Sequence, residues 1–331
     1  MQEKMASRSR VVRAIASGVS HLWFPTGLIL ARVLPRRLMH ALARQTMSRY
    51  MGLRGKYLAA LRSNLSIILG LPTGSKEVEA TARRLVDAHF FAWVDFLHFA
   101  SRPPEKSSRL VESVVGYSRI LDGLERGKGV LLITAHLGNW EVGGLMLAEM
   151  KLPVHVVLVP DMLPAVEAAR RGLHQRAGVT EIPVDRSFVS TLSVLRALAG
   201  NAIVAMQGDR DFDNTGHQVP FFGRTAYFPR GPIRVAMSTG ATVLPAFIVR
   251  VGDGRYRAIV EEPLAIERGG DREETFRNNL KRYVAILERY VAAYPEQWYC
   301  FYPFWDDPSR REAPDPTGGR RADTAATKNA S

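Results

Sequence analysis

The chain of 331 residues is short of several things, and each shortage excludes a class of protein. It has one cysteine, Cys300, so no intramolecular disulfide can form. It has no pair of histidines at helical spacing around a glutamate, which excludes a zinc peptidase of that type. No zinc-ligand spacing and no Lys/Arg block resembles a nucleic-acid module, so no nucleic acid is expected as a partner. A clean run of about 20 apolar residues is also missing. The nearest approach, Val19–Leu34, is interrupted by His21, Pro25 and Arg32, and neither a clean apolar core nor a small-residue cleavage site marks a signal peptide. Acidic residues are outnumbered, 32 against 45 lysines and arginines, giving a net charge of +13 that suits an anionic partner such as anionic lipid or an acidic carrier protein.

What remains is a globular composition, 46% hydrophobic and 23% charged, sufficient for one large or two ordinary domains. Residues 1–45 read as a basic and apolar region whose helix lies on or dips into a membrane, with Arg8, Arg10 and Arg13 before the apolar run and Arg36 and Arg37 after it. Residues 46–307 read as an α/β domain with a helical lead-in over 46–110, including one helix over Leu38–Ile68 and another from the N-cap Ser75 to about Leu97. Residues 308–331, rich in Pro, Gly, Arg, Ala and Thr, are expected to be disordered. From Val111 onward strands alternate with helices: strands at Val130–Ala135, Val154–Val159, Thr180–Val184 and Ala202–Met206, helices at Leu163–Ala177 and Ser187–Ala199. That alternation predicts a mixed, mostly parallel central sheet flanked by helices. Val219–Phe228 reads as an aromatic loop and Pro229–Thr239 as a helix. Strands at Ala241–Val251 and Tyr256–Glu261 share a Gly-Asp-Gly turn, and a long amphipathic helix covers Glu273–Tyr294.

The chemistry concentrates where the first buried strand ends, at Thr134-Ala135-His136-Leu137-Gly138-Asn139-Trp140-Glu141. In an open α/β sheet, ligands bind in the crevice at the C-terminal ends of the strands. On an unbroken helix His136 and Glu141 would point roughly 140° apart, at about 100° per residue. A break at Gly138, with Asn139 as the N-cap of the next helix, lets imidazole and carboxylate converge. Glu141 would then fix the His136 tautomer, and the other ring nitrogen would take a proton from a hydroxyl. The alternative on the same residues is a core histidine and an acid favoured at a helix N-terminus.

Two further segments belong with this edge. Gln207-Gly208-Asp209-Arg210-Asp211 ends a neighbouring strand; Arg210 can clamp a phosphate or carboxylate, while Asp209 and Asp211 orient it or bind a sugar hydroxyl, unless the cluster is a solvated turn. Phe221–Pro232 combines four aromatics with Arg224 and Arg230, and reads either as an acyl pocket with an anionic headgroup site or as loop packing. Ala236-Met237-Ser238-Thr239-Gly240 mimics a nucleophile elbow but has helix before and strand after, the reverse of what an elbow needs. Cys300, among aromatics, reads as packing rather than a nucleophile.

The His136 block resembles the His-X4-Asp/Glu motif of glycerolipid acyltransferases, and is most similar to the lipid A biosynthesis (late) acyltransferases, a family that includes mycobacterial phosphatidylinositol mannoside acyltransferases. The similarity extends over roughly residues 20–306, through Arg54–Asn64, Gln207–Asp211, Phe221-Phe222-Gly223 with Pro229–Pro232, Thr239–Pro245 and Tyr294–Trp298. The resemblance implies a membrane-associated enzyme with no bound cofactor, moving a fatty acyl group from a thioester of acyl carrier protein or coenzyme A to a glycolipid hydroxyl. It implies His136 and Glu141 as catalytic residues, with Asn139, Asp209, Arg210, Asp211, Arg224 and Arg230 around the substrates, on the cytoplasmic face of the inner membrane. The Asp209-Arg210-Asp211 cluster sits closer to the mannoside acyltransferases, and the Cys300–Trp305 ending departs from the enteric lipid A pattern. A lipid A precursor, a phosphatidylinositol mannoside and another phospholipid or lysolipid all stand as acceptors. A non-catalytic lipid-binding protein is the reading from a different class.

Overall fold

A computed structural model describes residues 24–305 except 53–54, 103–106, 162 and 185–187. The expected C-terminal tail, the start of the N-terminal apolar run and most of the Arg102–Ser107 linker therefore lie outside the described residues.

A helical layer comes first. Helix α1 (residues 24–33) buries Phe24 and Ala31, while Ile29 and Val33 face outward. It is followed by α2 (Arg36–Gly52), α3 (Gly55–Leu69) and α4 (Lys76–Ser101). The single helix expected over 38–68 is thus two, and α2 runs across the boundary expected at residue 45. Ser75 caps α4 by accepting from the Val78 amide. Among the described residues no helix is long and apolar enough to cross a membrane.

The α/β unit contains β1 (Val111–Val115), α5 (Tyr117–Glu125), β2 (Val130–Thr134), α6 (Trp140–Glu149), β3 (Val154–Leu158), α7 (Pro164–Ala177), β4 (Thr180–Pro183), α8 (Phe188–Ala199), β5 (Ile203–Gln207), β6 (His217–Phe221), β7 (Arg224–Phe228), α9 (Gly231–Ser238), β8 (Thr242–Arg250), β9 (Tyr256–Val260) and α10 (Arg272–Ala293). Seven strands make the main sheet in the order β1-β9-β8-β2-β5-β3-β4. All neighbours are parallel except the β8–β9 hairpin, as the helix–strand alternation predicts. β2 lies in the middle, between β5 and β8, and Val130 to Ile133 are almost wholly buried, which is why its sequence is a continuous apolar run.

The aromatic segment expected as a loop is a two-stranded hairpin, β6–β7, in which Phe221 pairs with Arg224. Its turn places Phe222 at φ 51° and Gly223 at φ 69°, the left-handed pair that a tight hairpin turn requires. Phe221, Ala226 and Phe228 are buried against Trp298, Phe304 and Trp305, so these aromatics pack the core beneath the sheet edge.

Candidate active site

The site follows from strand register. β2 and β5 are parallel, with Thr134 paired to Gln207. His136 and Asp209 each lie two residues beyond that pair, so they emerge side by side at the C-terminal edge of the sheet. His136 Nδ1 lies 2.8 Å from Asp209 Oδ1, and the His136 amide donates to Asp209 Oδ2 at 3.0 Å. The Trp298 indole N–H donates to the same Oδ2 at 3.0 Å. Asp209 is wholly buried.

This geometry corrects the expected pairing. Glu141 does not meet His136: its Oε2 lies 2.9 Å from His174 Nε2 on α7, and His174 Nδ1 lies 2.7 Å from Glu181 Oε1 on β4. The break between histidine and glutamate does exist. Gly138 has φ +68°, and a Cβ there would come 1.7 Å from the Ile248 carbonyl oxygen, so only glycine fits. Asn139 caps α6 as expected, accepting from the Val142 amide. Glu141 then lies in the first turn of α6, directed at α7 rather than back toward His136.

The two carboxylate–imidazole contacts differ electrically. Burial lowers the pKa of His136; Asp209 opposes that shift and the Arg210 guanidinium adds to it, leaving the pKa below the usual histidine value. Burial would raise the Asp209 carboxyl, but His136 and Arg210 outweigh it and hold that pKa below the usual range. A carboxylate accepting from Nδ1–H of a neutral imidazole leaves the Nε2 lone pair available. Nε2 makes no hydrogen bond with the described residues. Around the ring stand Trp140, at 5.3 Å between centroids, and Phe212, at 6.1 Å. Phe212 is 63% exposed, so it forms the outer wall of an aromatic mouth.

The remaining expected site residues separate clearly. Arg210 stays beside His136: its Nη2 donates to the Tyr299 carbonyl, and its buried Nε has no hydrogen-bond partner among the described residues. Asn139 is 3% exposed and donates to the Tyr256 hydroxyl at 3.1 Å, so it holds the turn together rather than lining an open substrate site. Asp209 is likewise closed to a sugar hydroxyl. Asp211 is buried and accepts from the Gly216 amide at 2.9 Å, which shapes the approach to β6. Arg224 stands exposed at the tip of the β6–β7 hairpin. Arg230 bonds Glu273 through one nitrogen, at 2.7 and 2.6 Å, and stacks on Phe276 at 4.6 Å. The amides of the Gly138 turn, a natural choice for an oxyanion hole, are already committed: Gly138 N–H to the Gln297 carbonyl and Asn139 N–H to the Ile248 carbonyl, both at 2.9 Å. Cys300 is buried, and burial pushes its thiol up to about 12, so it is no nucleophile. Among the described residues no group of His, Cys, Asp or Glu is placed to hold a metal.

Sequence reasoning missed Trp298 as a donor to the carboxylate, Trp140 and Phe212 as the mouth, and His174 and Glu181 as the partners of Glu141. The signal for Asp209 was available: an acid two residues past one parallel strand, level with a histidine two residues past its neighbour.

Residues 10–306 match the family of bacterial lipid A biosynthesis acyltransferases. The chain belongs to that family. This acyltransferase is also similar to the phosphatidylinositol mannoside acyltransferase of Mycolicibacterium smegmatis, with 25% identity over 299 residues, covering 87% of this chain and 91% of that protein. A phosphatidylinositol mannoside acyltransferase of Mycobacterium tuberculosis (strain H37Rv) is 26% identical over 252 residues, covering 74% of this chain and 76% of the relative.

Proposed function

We propose that this acyltransferase esterifies a hydroxyl of a glycolipid with a fatty acyl group taken from a thioester of acyl carrier protein or coenzyme A, with His136 as general base. The observation that carries the reading is the His136–Asp209 contact at 2.8 Å, because it fixes a neutral imidazole with Nε2 free beside Trp140 and Phe212. The acceptor hydroxyl gives its proton to Nε2 as its oxygen bonds to the thioester carbonyl carbon. The imidazolium so formed is stabilised by Asp209. The tetrahedral oxyanion then collapses, the C–S bond breaks, and the thiolate takes the proton from Nε2. Arg210, whose charge is felt at His136 and whose buried Nε lacks a partner, is the donor we assign to the oxyanion.

A glycolipid acceptor is supported by the family and by the relatives' names, which together leave a lipid A precursor and a phosphatidylinositol mannoside as the two acceptors to compare. Location at the cytoplasmic membrane surface is supported by the apolar residues left outside on α1 and α2: Ile29 is 65% and Val33 67% exposed, with Leu38 and Leu42 following. Incubating the purified enzyme with labelled acyl-coenzyme A or acyl carrier protein, and each glycolipid in turn, tests the reading. Transfer that falls by orders of magnitude in Asp209→Asn but persists in Glu141→Gln supports it. Equal turnover in Asp209→Asn and the wild type overturns the mechanism.

A further inference from the structure

A cavity of about 770 Å³ opens between α2, α4 and the β8–β9 turn, with neither His136 nor Asp209 in its wall. Arg37, His40, Ala41 and Arg44 line it from one face of α2, at positions one helical turn apart. Phe91 comes from α4, and Arg250, Gly252 and Gly254 from the hairpin. Among the described side chains no carboxylate is in the lining. Among the described residues Arg37, Arg44 and Arg250 form no salt bridge; the nearby acid is Asp87, behind Arg44 and Arg250. The Arg250 guanidinium lies over the Phe91 ring at 4.1 Å, and its buried Nε has no hydrogen-bond partner.

The walls are fixed independently of any occupant. Arg36 grips Asp95 with two bonds, at 2.5 and 2.8 Å, and donates to the Gly254 carbonyl at 2.6 Å, tying the hairpin turn to α2 and α4. His40 Nε2 meets the same Asp95 at 2.9 Å. Three guanidiniums line one space and only Asp87 offsets two of them, so an anion entering it meets a net positive wall. The other arginine-lined cavity, of about 630 Å³, differs in this respect. Asp271 and Glu273 stand in its lining, and Arg230 is already bonded to Glu273.

We propose that the α2–hairpin cavity binds the phosphate of an anionic membrane-lipid headgroup. Arginine presents planar donors that match phosphate oxygens, and three of them converge here. The lipid, rather than a free phosphate, is favoured by what flanks the cavity. Leu38 and Leu42, 46% and 41% exposed, form a stripe about 100° around α2 from the arginine face. An acyl-bearing headgroup uses both faces; inorganic phosphate uses one. This site requires no step at His136 and stands whether or not the glycolipid reading holds.

Flotation of the full chain with phosphatidylcholine vesicles, with and without phosphatidylglycerol, tests the proposal. Arg37→Gln/Arg44→Gln is compared with Arg234→Gln/Arg272→Gln, which removes the same charge elsewhere. The first is expected to weaken binding to the anionic vesicles by about 30-fold, at about 1 kcal/mol per arginine at the surface, and the second by far less. Ala41→Glu, a carboxylate set into the wall, is expected to reproduce the loss. Equal losses in the two double variants would reduce the effect to net charge and overturn the site. Complete displacement from vesicles by inorganic phosphate, with Leu38→Ser/Leu42→Ser binding like the wild type, would make free phosphate the ligand and overturn the lipid assignment.

Discussion

His136 and His174 both touch carboxylates, and their surroundings are opposite. His136 has one nitrogen on Asp209 and the other unbonded at an aromatic mouth. His174 has both nitrogens on carboxylates, Glu141 and Glu181. Carboxylates on both nitrogens favour the protonated form of His174: burial pulls its pKa down, but the two acids overcome that and raise it. It joins α6, α7 and β4 as a structural ion. His136, with a lowered pKa and one ring nitrogen unbonded, is suited to the general-base role proposed for it. The acid nearest to a histidine in sequence need not be its partner in space, and what decides reactivity is how many ring nitrogens remain uncommitted.

The largest way to break this comparison is His136→Ala. It is expected to lower kcat by about 10⁴-fold, the upper range for loss of a general base, as read by acyl transfer from a labelled thioester. Asp209→Asn follows, with a loss of about 10²–10³-fold, because an amide donor disfavours the productive tautomer. Glu141→Gln should cost far less activity but lower stability by about 2 kcal/mol, below the usual range for breaking a buried ion pair because Glu141 is partly exposed; thermal unfolding measures it.

The pH dependences should separate the two rings. The His174 pKa is raised by folding, so its stabilisation is fully present below the unfolded histidine value, about 6.5, and is lost as pH rises through the folded pKa. Glu141→Gln should flatten that alkaline loss of stability. The His136 pKa is lowered, so kcat/KM should rise with pH through a value below the ordinary histidine range and stay flat above it. The smallest effect is Phe212→Ala, which should raise KM by about fivefold through roughly 1 kcal/mol of lost apolar contact with little change in kcat. An equal fall in kcat would place Phe212 in the chemical step.

Much of the molecule was legible in its pattern. The apolar runs of β2 and β3, the Asn139 cap and the Gly138 break follow from residue type, since each is decided by neighbours a few residues away. The β6–β7 hairpin was hidden because its turn is Phe222-Gly223, not the usual Asn-Gly. A phenylalanine tolerates φ 51° here because its amide is held by Glu288 and its ring packs on Phe221 and Trp305. The partners of Glu141 were hidden for a related reason. His174 and Glu181 are 33 and 40 positions downstream, and only the packing of α7 on α6 and β4 brings them together.

The segment at 297–299 fastens the His136 turn at three points: the Gln297 carbonyl to Gly138, the Trp298 indole to Asp209 and the Tyr299 amide to the His136 carbonyl. The pair carried on β2 and β5 is therefore latched by a segment that follows α10 in the chain. During translation the ribosome must release this latch before the His136–Asp209 pair can take its final geometry, so the pair is assembled well after β2 and β5 have emerged.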